Sequence, residues 1–191
     1  MRTIDKNETP TGYALHGIED APEQSRPTLE AVQSKYGMLP NLFQVFAEVP
    51  SAASAYASLG QLFSETSLSP TEQNVVLVAI SVTNGCEYCV AANTAIAKGA
   101  QVPDGVIDAI REGRPIDDAK LQALRAFVQD VVETRGRPSE ETQSAFFEAG
   151  YTKKNVIEVI VGVTMKTLSN YVNHFAETPL DEPFQPFAWS K

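Results

Sequence analysis

Ser69-Pro70-Thr71-Glu72-Gln73-Asn74-Val75-Val76-Leu77-Val78-Ala79-Ile80-Ser81-Val82-Thr83-Asn84-Gly85-Cys86-Glu87-Tyr88-Cys89 holds a helix start, a helix interior, a break, and both cysteines of a chain of 191 residues. Ser69 is an N-cap type, Pro70 suits the first helical position, and Glu72 follows the cap by three, which together make a capping box. The helix that follows carries Val75, Val76, Leu77, Val78, Ala79, Ile80 and Val82, apolar nearly all round, so it belongs at the centre of the fold. Asn84-Gly85 ends it. Asn84 can then cap a second helix with Glu87 in the matching box position, which sets Cys86 and Cys89 in the first two turns. Glu72 and Glu87 both read as caps before they read as proton carriers.

Outward from this stretch, apolar residues recur at helical spacing and no period-two run appears, so the class is all-α. Upstream, a helix is expected from Pro27 to Tyr36, a short turn of helix over Asn41–Ala47, and another opened by Pro50 and running to about Glu65. Downstream, Pro103, Asp117 and Ser139 open helices stopped near Gly113, Gly136 and Gly150, and a last one runs from near Thr152 to about Glu177. Residues 1–25, punctuated by Pro10, Gly12, Gly17 and Pro22, read as an extended arm of the kind that often packs on a neighbouring subunit. In the tail, residues 178–191, Phe184, Phe187 and Trp189 require cover from their own chain or a partner. One domain spanning 1–191 is expected, with its core over 50–110. Sliding the chain by 81 positions matches Thr71, Asn74, Val75, Val78, Val82 and Thr83 to Thr152, Asn155, Val156, Val159, Val163 and Thr164, which suggests two related helical halves, only the first keeping thiols.

A balance of 15 Lys+Arg against 24 Asp+Glu, formal charge -9, repels polyanions and argues against nucleic acid or an anionic membrane as partner. No run approaches a membrane span, and Met1-Arg2-Thr3-Ile4-Asp5-Lys6-Asn7-Glu8 lacks the apolar core of a signal peptide, so a cytoplasmic location is expected. In that reducing compartment a close cysteine pair is catalytic or redox-sensing rather than a structural bridge.

At a helix start, unpaired N–H groups and the positive end of the dipole favour a thiolate, and the thiolate is the nucleophile toward peroxides and disulfides. By position alone, Cys86, nearer the helix start, should be the more acidic. Two blander readings compete: a pair of buried small hydrophobes, and a zinc site, for which only His16 and His174 remain as soft donors, far apart in sequence. Neither metal nor cofactor is called for by thiol redox chemistry. Cys86, Cys89 and Asn93, at helical spacings of three and four, fall on one face, beside the small apolar Val90, Ala91 and Ala92.

Leu68-Ser69-Pro70-Thr71-Glu72, the apolar helix and Asn84-Gly85-Cys86-Glu87-Tyr88-Cys89-Val90-Ala91-Ala92 together resemble the core of the carboxymuconolactone decarboxylase and alkyl hydroperoxidase D-like (AhpD-like) family. Gly37-Met38-Leu39-Pro40-Asn41-Leu42-Phe43 and Tyr171-Val172-Asn173-His174 resemble its longer, peroxidase-related branch. The resemblance implies an all-helical fold assembled as homo-trimers or hexamers, and a cysteine pair that reduces organic hydroperoxides at the expense of an external dithiol. It assigns Cys89 the attack on the peroxide and Cys86 the resolution of the sulfenic acid as a disulfide, opposite to the order that helix position suggests. The hydroperoxidases of the family use a histidine four residues after the second cysteine and a glutamate twelve before the first; here those positions are Asn93 and Asn74. An amide does not accept a proton at neutral pH, and general-base help contributes about 10²–10⁴-fold, so Tyr88, Glu87 and His174 become the candidate substitutes. Two other functions fit the same residues: a redox-responsive or structural oligomer without efficient turnover, and a cofactor-free lactone decarboxylase, a branch that does not depend on a cysteine pair.

Overall fold

Most helix boundaries fall within a residue or so of where the capping and breaking residues place them, the start of α5 excepted. The computed structural model describes residues 7–191; among them are α1 (Arg26–Tyr36), α2 (Asn41–Phe46), α3 (Pro50–Ser64), α4 (Pro70–Thr83), α5 (Glu87–Gly99), α6 (Asp104–Arg111), α7 (Ala119–Glu133), α8 (Glu140–Glu148) and α9 (Lys153–Ala176). Two 3-10 turns, Glu23–Ser25 and Glu182–Phe187, flank this set, and the described residues contain no strand beyond one isolated bridge, Glu8 with Ala14. The part of the arm formed by residues 1–6, with most of the segment read against a signal peptide, lies outside the described residues.

The capping box at Ser69 forms as the sequence requires: the Glu72 N–H donates to Ser69 Oγ at 3.3 Å and the Ser69 N–H to Glu72 Oε2 at 2.8 Å. Glu72 also accepts from the Tyr151 hydroxyl at 3.0 Å and pairs with Lys120 at 2.9 Å. Although burial pushes its carboxyl upward, these donors hold it down at about 2, so its role is to pin the N-terminus of α4. From there α4 runs through the middle of the molecule against α3, α5, α6, α7 and α9, with Val75, Val76, Val78, Ala79 and Ile80 buried. An all-apolar helix has this one stable place, because each buried side chain of that size contributes about 1.5–3 kcal/mol by leaving water.

α9 is the second long element of the core, and it crosses α3 and α4 at close range. Gly162 makes that approach possible: a Cβ there would stand 2.9 Å from Phe63 and 3.0 Å from Val76. The 81-residue slide aligns α4 with the first half of α9, but the likeness ends there. Their N-caps, Ser69 and Thr152, are two residues out of register in that alignment, and α9 continues unbroken where Gly85, at φ +68°, ends α4. The chain therefore folds around one α4–turn–α5 unit and one continuous helix.

Both ends of the described residues are covered by this chain's own residues. Thr9 and Ala21 are buried, Thr11 donates to the Ala176 carbonyl at 2.7 Å, and Ser25 donates to the Ala47 carbonyl at 2.7 Å. The described part of the arm thus lies on this chain's own helices. In the tail, Phe184 meets Tyr88 edge to face, Lys98 lies over the Phe187 ring, and Trp189 Nε1 donates to the Arg111 carbonyl at 2.9 Å. Arg111 in turn donates to the carbonyls of Phe187 and Ala188, which straps the tail across α5 and α6. No helix among the described residues is long and apolar enough to cross a membrane.

Candidate active site

The turn between α4 and α5 sets the first sulfur. Cys86 is the N-cap residue of α5, in extended geometry with φ -89° and ψ 95°, and its N–H donates back to the Ser81 carbonyl at 2.9 Å. This corrects the expected capping arrangement. Asn84 does not cap α5, since its side-chain amide donates to Asn170 Oδ1 on α9 at 2.8 Å, and Glu87 is the first helical residue with an exposed side chain. Cys86 therefore stands just before the helix, and Cys89 occupies its first turn.

Both thiols are free and 1% exposed. They differ in what surrounds them. Three side chains from one face of α9 reach the sulfurs: Lys166, Ser169 and Asn173, all buried. Asn173 Nδ2 donates to Cys89 Sγ at 3.2 Å and lies 3.9 Å from Cys86 Sγ, and Ser169 Oγ lies 3.7 Å from Cys89 Sγ. Burial pushes the Cys89 thiol up, yet hydrogen bonding from Cys86, the Lys166 ammonium, Ser169 and Asn173 more than offset it and hold the thiol well below its ordinary range. Cys86 moves the opposite way, driven up first by donating its hydrogen bond to Cys89 and then by burial. Burial works against charge on Lys166 as well, but the facing Cys89 sulfur, with Tyr56 and Cys86, holds the ammonium charged. Lys166 thus faces the more acidic of the two sulfurs, Cys89, with Cys86 as the hydrogen-bond donor beside them.

The position-only argument fails because both cysteines share one helix start while the charge that separates them comes from α9. None of Lys166, Ser169 and Asn173 was read from the sequence as a site residue, although a signal exists: they sit at i, i+3 and i+7 on the core-facing stripe of α9, where polar residues need a partner. The neighbouring His174 belongs to the opposite face. It is exposed and stacks on Tyr171, so it does not reach the sulfurs.

Cys89 and Lys166, but not Cys86, border a cavity of about 400 Å³ walled mainly by apolar side chains, among them Phe43, Tyr56, Met165 and Phe184. Asn74 and Asn93 line it as well. Their amide nitrogens are committed to backbone: Asn74 Nδ2 donates to the Pro70 carbonyl at 2.8 Å, and Asn93 Nδ2 to the Cys89 carbonyl at 2.6 Å. Tyr88 forms part of the wall, but its hydroxyl donates to Asp181 Oδ2 at 2.5 Å and accepts from the Leu42 N–H at 3.3 Å. Burial and the adjacent Asp181 carboxylate raise its pKa, so Tyr88 locks the tail to the wall. Of the expected supporting residues, Asn74, Asn93 and Tyr88 reach the cavity, while Glu87 and His174 face solvent.

Residues 50–130, which span α3 through most of α7 and include both cysteines, match the model of the carboxymuconolactone decarboxylase family. The fold of the whole chain is AhpD-like: it superposes on the alkylhydroperoxidase AhpD core of an uncharacterized peroxidase-related protein from Ralstonia eutropha JMP134 with a TM-score of 0.80, over 90% of this chain and 93% of that one, at 23% identity. A peroxidase-related protein from Silicibacter sp. TM1040 superposes at TM-score 0.75 and 17% identity, over 95% of this chain and 96% of that one. The debrominase Bmp8, in a cysteine-to-alanine variant bound to 2,3,4-tribromopyrrole, superposes at TM-score 0.76 and 17% identity, over 97% of each chain. A search of curated proteins finds no significant sequence match. At these identities the solved structures establish the shared fold.

Proposed function

We propose that this protein is a thiol-dependent peroxidase that reduces organic hydroperoxides through Cys89 and Cys86. The observation that carries the reading is the asymmetry of the two sulfurs: the acidic one borders an apolar cavity, and the other sits behind it as a hydrogen-bond donor. The Cys89 thiolate attacks the distal oxygen of the hydroperoxide; an S–O bond forms, the O–O bond breaks, and an alkoxide leaves. The alkoxide takes a proton from the Lys166 ammonium, which borders the same cavity. Cys86 then attacks the sulfenic sulfur of Cys89, forming the disulfide and releasing water. An external dithiol reduces the disulfide, and the regenerated Cys89 thiol returns its proton to the Lys166 amine. In this cycle Lys166 does the proton work for which the hydroperoxidases of the family use a histidine and a glutamate, and the two asparagines become wall residues.

The test is hydroperoxide consumption by the reduced protein with a dithiol as reductant, in wild type and in Cys89→Ser. Turnover that requires Cys89 supports the proposal. Turnover unchanged in a Cys86→Ser/Cys89→Ser double variant, or none in the wild type, would end it. The debrominase neighbour favours one second reading, in which the same thiolate attacks the halogen of a brominated pyrrole, a proton replaces bromine on the ring, and Cys86 displaces bromide from sulfur. Dithiol-dependent bromide release without peroxide consumption would select it.

A further inference from the structure

The cavity has a second cation, at its outer end. Lys35, in the last turn of α1, borders it together with Tyr36, Phe43 and Ala57, and the same four residues border a second groove of about 380 Å³ between α1 and α3. Lys35 stands where the two spaces meet. Its side chain is exposed, its ammonium lies 5.4 Å from the centre of the Tyr36 ring, and no carboxylate among the described residues lies within ion-pair distance of it. In a chain with 24 acidic residues against 15 basic ones, a lysine left without an acid at a cavity mouth is available to a ligand.

The inner cation is already matched, because Lys166 faces the Cys89 thiolate. Between the two ammonium groups the wall is largely apolar, with Phe43 and Tyr56 in contact at 5.3 Å between ring centres. A ligand complementary to this layout has an apolar body and one anionic end. A single flexible ammonium suits a carboxylate. Phosphate recognition calls for a fork of donors or a ring of backbone N–H groups, and no arginine borders either space.

We propose that the cavity takes amphiphilic carboxylates, with the apolar chain inside and the carboxylate on Lys35. The substrates are then hydroperoxides of carboxylic acids whose O–O group lies well along the chain from the acid. The second half of this statement rests on the peroxidase reading; the binding half does not.

Two measurements on the full-length reduced protein separate them. In the first, dodecanoate and its uncharged methyl ester are titrated into wild type and Lys35→Met by calorimetry. Wild type binds the acid about three- to fivefold more tightly than the ester, the size of one exposed ion pair, and the gap narrows as salt is raised. Lys35→Met, at an exposed helix position, closes the gap and leaves the ester's affinity unchanged. Equal affinity for acid and ester in the wild type, no binding of either, or a preference that survives Lys35→Met overturns the proposal. The second compares a fatty-acid hydroperoxide with its methyl ester in turnover, where Lys35→Met should raise KM for the acid alone and leave kcat in place. Acid binding through Lys35 with no hydroperoxide consumed sinks the peroxidase reading and leaves this one standing. Consumption of both hydroperoxides without acid preference does the reverse.

Discussion

The turn into α5 and the middle of α9 face each other across the two sulfurs, and they divide the work unequally. The first supplies the two sulfurs, Cys86 and Cys89, in a segment of a few residues. The second supplies Lys166, Ser169 and Asn173, which pull the Cys89 thiol down, while Cys86 is pushed up by donating to Cys89 and by burial. A helix start favours a thiolate within its first turn generally, by roughly 0.3–1 kcal/mol at exposed sites and somewhat more when buried. A buried ammonium chooses between two sulfurs. On the proposed reading, the choice of nucleophile is thus made by α9, some eighty residues from the cysteine pair.

The largest effect expected from breaking this comparison is at the nucleophile. Cys89→Ser should abolish dithiol-dependent peroxide turnover, whereas Cys86→Ser should keep a single stoichiometric turnover that ends in a sulfenic acid, seen by mass spectrometry with a sulfenic-acid trap. If the two variants exchange behaviours, the assignment of roles falls. Next in size is the charge on α9. Lys166→Met fits the same space without the ammonium and should lower peroxide reactivity at neutral pH by about 10²-fold, the middle of the range for lost proton-transfer help. Global stability, followed by denaturant titration, should hold or rise, because an apolar isostere no longer pays the desolvation of a buried charge and Cys89 becomes neutral. A Lys166→Met variant as reactive as wild type would show that the fold does not use this charge.

Asn173→Ala should have a smaller effect. Loss of its 3.2 Å hydrogen bond to Cys89 should raise the pH at which the thiolate forms by about one, the equivalent of one charge-assisted hydrogen bond of about 1.5 kcal/mol. Thiolate ultraviolet absorbance against pH measures it directly. The smallest effect is expected from Asn93→His combined with Asn74→Glu, which recreates the pair that the family's hydroperoxidases use. With Lys166 already in place the gain in turnover should stay below about tenfold; a gain of 10³-fold would mean that Lys166 does not carry protons.

How much of this was legible in the sequence follows from the range of the forces involved. Capping, breaking and apolar periodicity are local, so the Ser69 box, the break at Gly85 and the central place of α4 could be read from neighbouring residues. The capping expectation for α5 failed because Asn84 found Asn170 on another helix, a tertiary hydrogen bond that outweighed a local one. His174 and Asn173 are adjacent in sequence, and a turn of about 100° per residue separates the exposed one from the buried one; the histidine drew attention as a titratable group, but the asparagine holds the sulfur. The slide by 81 positions registered α4 against the first half of the longer α9, and the two share composition because both are central, not because both bend at a cysteine turn.

The pH dependence of alkylation at Cys89 tests the central claim most directly, with Cys86→Ser removing the second thiol from the signal. The Lys166 pairing predicts that the rate reaches its plateau well below the ordinary thiol value of about 8.5, and that Lys166→Met moves the whole curve to higher pH. A Cys89 that titrates at or above 8.5 with Lys166 present would contradict it.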